Sequence, residues 1–218
     1  MKRGARGVVF AVIAAAGLVA ALIFSGILPE RYYSAEHFGI EVLKSENDAD
    51  NDRIDDYTDI LLSAREYMKT DPDYNSAYYS GGYPPDGEGV CTDVIWKALK
   101  GAGYDLKAAV DKDIAEHPER YDIEKPDGNI DFRRVRNLLP FFEAHAESLT
   151  LDTSEIAEWQ GGDIVVFTGH IAIVSDRRNR QGIPFIIHNA NPYQLRHEEN
   201  ALAQRDDIVG HFRIKEGF

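Results

Sequence analysis

The chain has little cysteine and little positive charge. Cys91 is the only cysteine among 218 residues, so no disulfide can form within the chain and a small scaffold held by disulfides is excluded. Only 24 Lys and Arg stand against 37 Asp and Glu. Three of the basic residues precede residue 29, so residues 29–218 carry 21 basic residues against all 37 acidic ones, a formal charge of −16. Such an acidic surface argues against a nucleic acid as partner.

The N-terminal part lacks a clear cleavage signal but contains a long apolar run. Residues 8–28 include no charged residue, and as a helix these 21 residues span about 31 Å, enough to cross a bilayer. Signal-peptide cores are shorter, about 7–15 residues, and end at a small-x-small site. We therefore expect one uncleaved transmembrane helix in the cell membrane, a single-pass anchor with residues 29 onward outside the cytoplasm. Cleavage of this segment, which would give a secreted domain, is the alternative.

Apolar periodicity predicts helices first and strands later. Helical spacing covers residues 59–69, a helix that begins near Cys91, residues 105–117, and residues 131–146 with a break or kink at Pro140. Short β-branched runs predict strands at residues 163–167, 170–176, 184–190 and 208–214. This order is typical of an α+β domain with helices packed on an antiparallel sheet. We divide the chain into a membrane anchor at 1–28, a stalk at 29–55 and a globular domain at 56–218.

Cys91 stands where a predicted helix begins, and that position suits a reactive thiol. Backbone N–H groups and the helix dipole stabilise a thiolate there, so the pKa of Cys91 is expected to fall. A nucleophilic thiol also needs a base and a group that orients the base. His170 begins one strand and His188 ends the next, and two antiparallel neighbours can bring their rings together. Asn189 and Asn191 compete with His188 for the orienting place.

Three stretches around these residues carry a family resemblance: YYSGGYPPDGEGVCTDVIWKAL, WQGGDIVVFTGHIAIVSD and FIIHN. They resemble the NlpC-type cell-wall cysteine hydrolases, a rearranged branch of the papain-like fold, and residues 56–216 resemble more narrowly a bacterial exported family of undescribed function. The resemblance implies Cys91 as nucleophile, His170 as general base and His188 as the third residue of the triad. It also implies that Tyr79 lines the cleft and directs its hydroxyl at the substrate or at an oxyanion.

The chain departs from this family beside the nucleophile. The usual Asp-Cys-Ser-Gly is here Val90-Cys91-Thr92-Asp93, so the contacts that flank the thiol on the substrate side are expected to differ. The departure bears on the identity of the substrate more than on the type of reaction. Asp93 is expected to act as a capping residue of the helix.

Aspartates alternate just before the first predicted helix of the globular domain. They match positions 1, 3, 5, 9 and 12 of a calcium loop of the form D-x-[DN]-x-[DN]-G-x₅-E, and they are Asp48, Asp50, Asp52, Asp56 and Asp59. Arg53 replaces the glycine of that pattern, and Asp59 replaces its final glutamate. We expect a structural Ca²⁺ that braces the entry to this helix, with a solvated acidic linker as the alternative. Catalysis is expected to need no cofactor.

Together with the resemblance, these features predict a membrane-anchored, extracytoplasmic cysteine peptidase or amidase. The expected substrate is an amide bond in peptidoglycan stem peptides, or in another peptide. Two alternatives stay open at this point. One is a noncatalytic module that binds the cell wall or a protein, and the other is an acyltransferase whose thioester is resolved by an amine.

Overall fold

The computed structural model describes residues 10, 12–19, 21–22, 30–215 and 217–218. The chain divides into two compact units, Met1–Arg31 and Tyr32–Phe218. In the first unit the described residues 10, 12–19 and 21–22 are helical.

The described N-terminal residues correct the predicted transmembrane helix. In the part of the chain that the structure describes, no helix combines the length and the apolar character needed to span a bilayer. Residues 8–9, 11, 20 and 23–28 of the predicted span lie outside the described residues.

Four α-helices occur among the described residues of the second unit, and all four are predicted by the sequence. They are α1 (Asp56–Lys69), α2 (Cys91–Gly101), α3 (Leu106–Glu116) and α4 (Val135–His145). The expected break in the last helix lies at Arg134, not at Pro140. Arg134 has extended backbone between a 3₁₀ turn and α4, whereas Pro140 lies inside α4. The helix tolerates the missing N–H of Pro140 because the following Phe141 and Phe142 are fully buried in the core.

The main sheet has six antiparallel strands in the order β3-β8-β4-β5-β6-β7. Their bounds are β3 (Glu147–Ser148), β4 (Ile164–Phe167), β5 (His170–Arg178), β6 (Pro184–Ile187), β7 (Glu198–Glu199) and β8 (Ile208–Arg213). The four predicted strands correspond to β4, β5, β6 and β8. Two short strands before α2 form a separate parallel pair, β1 (Asp73–Tyr74) and β2 (Glu88–Gly89).

The two faces of the main sheet fill two apolar clusters. Along β5, Ile171 and Ile173 belong to the cluster that holds the buried residues of α1 to α4, and Cys91 lies in the same cluster. The alternate residues Ala172 and Val174 belong to a smaller cluster around Trp159 on the other face. Full burial of an aliphatic side chain contributes about 1.5–3 kcal/mol, so these clusters fix the register of β5 and with it the position of His170.

Residues 32–55 of the predicted stalk belong to the compact unit Tyr32–Phe218. Tyr33 exchanges backbone hydrogen bonds of 2.8 and 2.9 Å with Arg178 at the end of β5. The Gln160 side chain donates to the Glu41 carbonyl at 3.2 Å and accepts from the Leu43 N–H at 3.3 Å. These contacts attach the segment to the sheet and bring the acidic loop to the start of α1.

Candidate active site

Cys91 is the first residue of α2, as the sequence predicts. Its side chain packs in the apolar cluster between α2 and β5, and the residue is 9% exposed. Burial raises the pKa of the thiol to about 11, although backbone N–H groups of Ile171, Thr92 and Cys91 itself act in the opposite direction. The prediction that the pKa of Cys91 falls is therefore wrong. Loss of hydration of the thiolate outweighs the favourable helix terminus.

The end of the β5–β6 ladder explains how the thiol meets the sheet. Pairing between these strands reaches Ile173 and Ile187 and goes no further toward the start of β5. The N–H of Ile171, two residues earlier, is thus left to face the sulfur of Cys91. Because Ile171 directly follows His170, the thiol packs beside the first residues of β5.

A hydrogen-bonded chain of three side chains surrounds this end of the sheet. His170 Nε2 lies 2.7 Å from His188 Nδ1, and His188 Nε2 lies 2.9 Å from Glu199 Oε1. The predicted contact between His170 and His188 is thereby confirmed. Glu199 is a member that the sequence did not reveal, because it lies on the short strand β7 and reaches His188 only through the pairing of β7 with β6.

The hydrogen bonds that join His170, His188 and Glu199 determine the tautomers of both imidazole rings. A carboxylate only accepts hydrogen bonds, so the proton facing Glu199 sits on His188 Nε2. His188 Nδ1 then carries a lone pair and accepts the Nε2–H of His170. This assignment, which follows from the hydrogen-bond network, leaves a lone pair on His170 Nδ1, the form of imidazole that can take a proton.

Thiol and imidazole are both neutral in this arrangement. Burial, the neighbouring His188 and the charge of Arg205 lower the pKa of His170 to about 3. No hydrogen bond joins the Cys91 thiol to His170 among the described residues. A standing thiolate–imidazolium pair is therefore absent from the described site, and His170 Nδ1 has no hydrogen-bond partner among the described residues.

The tyrosine whose hydroxyl interacts electrostatically with Cys91 is Tyr74, not the predicted Tyr79. Tyr79 donates its hydroxyl to Glu88 Oε2 at 2.6 Å and its ring lies 5.0 Å from the guanidinium carbon of Arg133. Tyr74 lies on β1, and both burial and the charge of Cys91 raise the pKa of its hydroxyl. No local motif marks Tyr74, because the parallel pairing of β1 with β2 brings it to the residues before Cys91.

The two asparagines near His188 have structural partners. Asn189 donates its side-chain amide to the carbonyls of Pro72 and Gly89 at 3.1 Å each, which holds β1 and β2 against the end of β6. Asn191 accepts a loop hydrogen bond of 2.9 Å from the Tyr193 N–H. Of the three candidates for the orienting place, His188 is the one in contact with His170.

A buried ion pair fixes the start of α2. Asp93 receives two hydrogen bonds from Arg133, at 2.7 and 2.8 Å, and both side chains are almost fully buried. Asp93 also accepts from the Val90 N–H at 2.8 Å and from Trp96 Nε1 at 2.7 Å. Asp93 is thus the capping residue that the sequence predicts. Because the pair spans the residues around Cys91, it locks the backbone that carries the thiol.

Three other histidines have partners away from the thiol. His145 Nε2 lies 2.8 Å from Asp113, and His211 lies 3.0 Å from Asp163 and stacks on Trp159. His197 lies 3.0 Å from Asp71.

The five aspartates of the acidic segment lie in three different environments. The carboxylates of Asp48, Asp50 and Asp52 come together, with one oxygen from each within 4.8 Å of the others. Asp56 instead accepts from the Ala49 N–H at 2.9 Å and from the Tyr104 hydroxyl. Asp59 is buried behind the loop in the first turn of α1.

Fold and site together define an α+β domain with a buried thiol at the start of a helix, beside a His–His–Glu chain. The chain belongs to the DUF1287 family, described as a domain of unknown function, whose model matches residues 61–214. It is 36% identical over 158 residues to the uncharacterized protein YijF of Escherichia coli (strain K12). The aligned region covers 66% of this chain and 72% of that protein. This confirms the expected membership of a family of undescribed function.

No solved structure matches the chain. The predicted α+β arrangement is confirmed, with a six-stranded antiparallel sheet after the helices. The expected papain-like architecture has no support from a solved structure and is withdrawn. The resemblance rests on short stretches around Cys91, His170 and His188, and such stretches fix local contacts without fixing a whole topology.

Proposed function

We propose that this protein is a cysteine hydrolase that cleaves an amide bond through Cys91. One observation carries the proposal: the only cysteine of the chain begins a helix beside the start of β5, and at that start His170, His188 and Glu199 are joined by continuous hydrogen bonds. Such an order of nucleophile, base and orienting groups is what covalent acyl transfer requires. The three sequence stretches that resemble NlpC-type hydrolases support the same reaction.

The groups of the site have distinct roles in the proposed reaction. The sulfur of Cys91 adds to the substrate carbonyl as its proton passes to His170 Nδ1, and the resulting imidazolium gives that proton to the leaving amine. Water then attacks the thioester with His170 as base and releases the acid. The Tyr74 hydroxyl and the Cys91 N–H are the donors we assign to the oxyanion. His188 and Glu199 hold His170 in the tautomer with a free Nδ1.

Peptidoglycan stem peptides are the proposed substrate, on the strength of the motif resemblance. Peptidoglycan lies outside the cytoplasm, so this substrate requires export of the domain, and the extracytoplasmic location stays a prediction. The test is digestion of purified muropeptides by the protein, followed by mass spectrometry. Cleavage at one amide bond supports the proposal, whereas intact muropeptides in the presence of folded protein would refute this substrate. An added amine acceptor separates hydrolysis from acyl transfer, because a transferase gives a new amide product.

A noncatalytic binding module is the second candidate, and the burial of the thiol favours it. A sulfur in a residue that is 9% exposed, with its pKa raised to about 11, also fits a core position. The two candidates differ in product: a binding module retains muropeptides without changing their mass.

The pH dependence of Cys91 alkylation tests the neutral resting state. We expect the rate of reaction with iodoacetamide to be slow at neutral pH and to rise with pH toward about 11, since the thiolate fraction grows as pH approaches the raised pKa. The adduct is unambiguous by mass spectrometry because the chain has one cysteine. A rate that levels off near neutral pH would show a persistent thiolate–imidazolium pair and contradict the resting state described above.

Glu199 is expected to act as a positioning residue through His188. Glu199→Leu removes the acceptor of the 2.9 Å contact to His188 Nε2, so both rings can change tautomer, and kcat should fall about tenfold or more with little change in KM. Glu199→Gln keeps an oxygen acceptor and should retain most of the activity. Equal loss in both variants, or a change confined to KM, would contradict this role.

A further inference from the structure

The acidic loop before α1 gathers three carboxylates at one point. Asp48, Asp50 and Asp52 each offer an oxygen within 4.8 Å of the other two. Oxygens that ligate one Ca²⁺ at 2.3–2.6 Å lie at mutual distances of this order. Acidic clusters on a surface are common, so the loop alone does not identify a cation site.

Backbone amides hold the loop in this shape. The N–H of Asp52 donates to Asp48 at 3.0 Å, the N–H of Arg53 donates to Asp48 at 2.9 Å, and the N–H of Ile54 donates to Asp52 at 2.8 Å. Arg53 has a φ of 80°, so it adopts the left-handed conformation for which the calcium-loop pattern uses glycine. The arginine that interrupts the sequence pattern therefore still makes the required turn.

Asp59 supplies an independent sign of a missing ligand. The residue is 6% exposed, and its Oδ2 is buried without a hydrogen-bond partner among the described residues. A carboxylate oxygen buried without a donor or a cation is costly. Asp59 follows Asp56 by three residues in α1, so the two side chains share one face of the helix. On that face Asp56 accepts from the Ala49 N–H of the loop at 2.9 Å.

Asp56 is excluded from the ligand set that the geometry favours. Asp56 is fully buried, and its oxygens accept from the Ala49 N–H and from the Tyr104 hydroxyl, which lies outside the loop. The hydrogen bonds that Asp48 and Asp52 accept come from backbone amides of the loop itself. Asp56 thus ties the loop to Tyr104, just beyond α2, and none of the other four aspartates forms an ion pair among the described residues.

We propose that Asp48, Asp50, Asp52 and Asp59 bind one Ca²⁺. Four hard oxygen donors from the loop and the first turn of α1 suit Ca²⁺, which accepts 6–8 oxygens, and waters or backbone carbonyls would complete its shell. Mg²⁺ demands a smaller octahedral site and retains its waters, so it should bind less tightly. The ion would neutralise carboxylates that otherwise repel one another.

The position of the loop gives this ion a structural role. A side chain at Gly103, just beyond α2, would meet the Asp50 N–H at 3.0 Å, so the loop packs directly against the chain that leaves α2. Asp59 lies in the first turn of α1. The ion therefore joins the beginning of α1 to the end of α2, whose other end carries Cys91, and its binding does not depend on the reaction of the thiol.

Thermal unfolding of the full chain with and without Ca²⁺ tests the proposal. Calcium at about 1 mM, in the range where extracellular modules bind it, should raise the Tm of the wild type relative to EDTA, and Mg²⁺ should raise it less. Asp59→Asn should affect the Tm differently in EDTA and in Ca²⁺. It removes an unpartnered buried charge, so the Tm in EDTA should not fall, while the gain with Ca²⁺ should largely disappear.

Two further variants complete the test. Asp50→Asn changes an exposed ligand with little risk to folding and should weaken Ca²⁺ binding about tenfold or more in a calorimetric titration. Asp86→Asn changes an exposed carboxylate far along the chain in the loop before β2 and should leave binding unchanged. The proposal is overturned if Ca²⁺ leaves the wild-type Tm unchanged, or if it stabilises Asp59→Asn as strongly as the wild type.

Discussion

Replacing Cys91 by alanine is expected to abolish amide cleavage, with kcat/KM lower by about 10⁴-fold or more, because the sulfur forms the acyl bond in the proposed reaction. The fold should persist, since the thiol donates no hydrogen bond in the described site and loss of one buried sulfur costs about 1–2 kcal/mol. Cleavage of muropeptides followed by mass spectrometry gives the rate, and circular dichroism with thermal unfolding verifies the fold.

A matched variant separates the nucleophile from its base. His170→Gln keeps the thiol but removes the imidazole that receives its proton, so the rate should fall by about 10²–10⁴-fold. Cys91→Ser retains the shape of the side chain with a far weaker nucleophile and should resemble the alanine variant in rate. Cleavage by Cys91→Ala at the wild-type rate would exclude the thiol as the nucleophile. Absence of cleavage by the folded wild type would favour a binding module.

Breaking the Asp93–Arg133 pair is expected to have the largest effect on stability. Arg133→Met leaves Asp93 buried without its cation, and the loss of one partner of a buried pair costs about 3–5 kcal/mol. The pair has two hydrogen bonds of 2.7 and 2.8 Å and almost no exposure. Urea unfolding measures the change in the free energy of unfolding.

The double variant shows whether that loss comes from the pair itself. Asp93→Asn together with Arg133→Met removes both charges, so it should cost clearly less than the sum of the single changes. Lys69→Met breaks the surface ion pair with Glu66, in which the Lys69 side chain is 72% exposed and the Glu66 side chain 75%. The free energy of unfolding of this variant should equal that of the wild type. Additive effects in the double variant would show that the two side chains stabilise the protein independently.

Local sequence signals predicted the helices and the main strands well. Apolar periodicity placed α1 to α4 and β4, β5, β6 and β8 within a few residues, because burial of one face sets both the period and the register. The predicted break at Pro140 was wrong, since the proline signal ignores the buried Phe141 and Phe142 that hold α4 together. The short strands β1, β2, β3 and β7 escaped prediction because two residues carry no periodic signal.

The sequence also predicted only part of the candidate site. The sequence singled out Cys91, His170 and His188 from their places at the ends of elements. It missed Glu199 and Tyr74, which reach the site only through strand pairing. It chose Tyr79 from a glycine-rich stretch, although that hydroxyl is bound to Glu88.

The sequence by itself determined an acidic α+β domain with one thiol at a helix start and histidines at the ends of two strands, since periodicity, charge and residue type are local properties of the chain. Only the tertiary structure decided the protonation of the site and the partners of its members. The pKa of Cys91 depends on how much water the packed helix and sheet exclude, and the His188–Glu199 contact depends on which strands pair. Solvation and contacts between distant residues are set by packing in three dimensions, which no local pattern records.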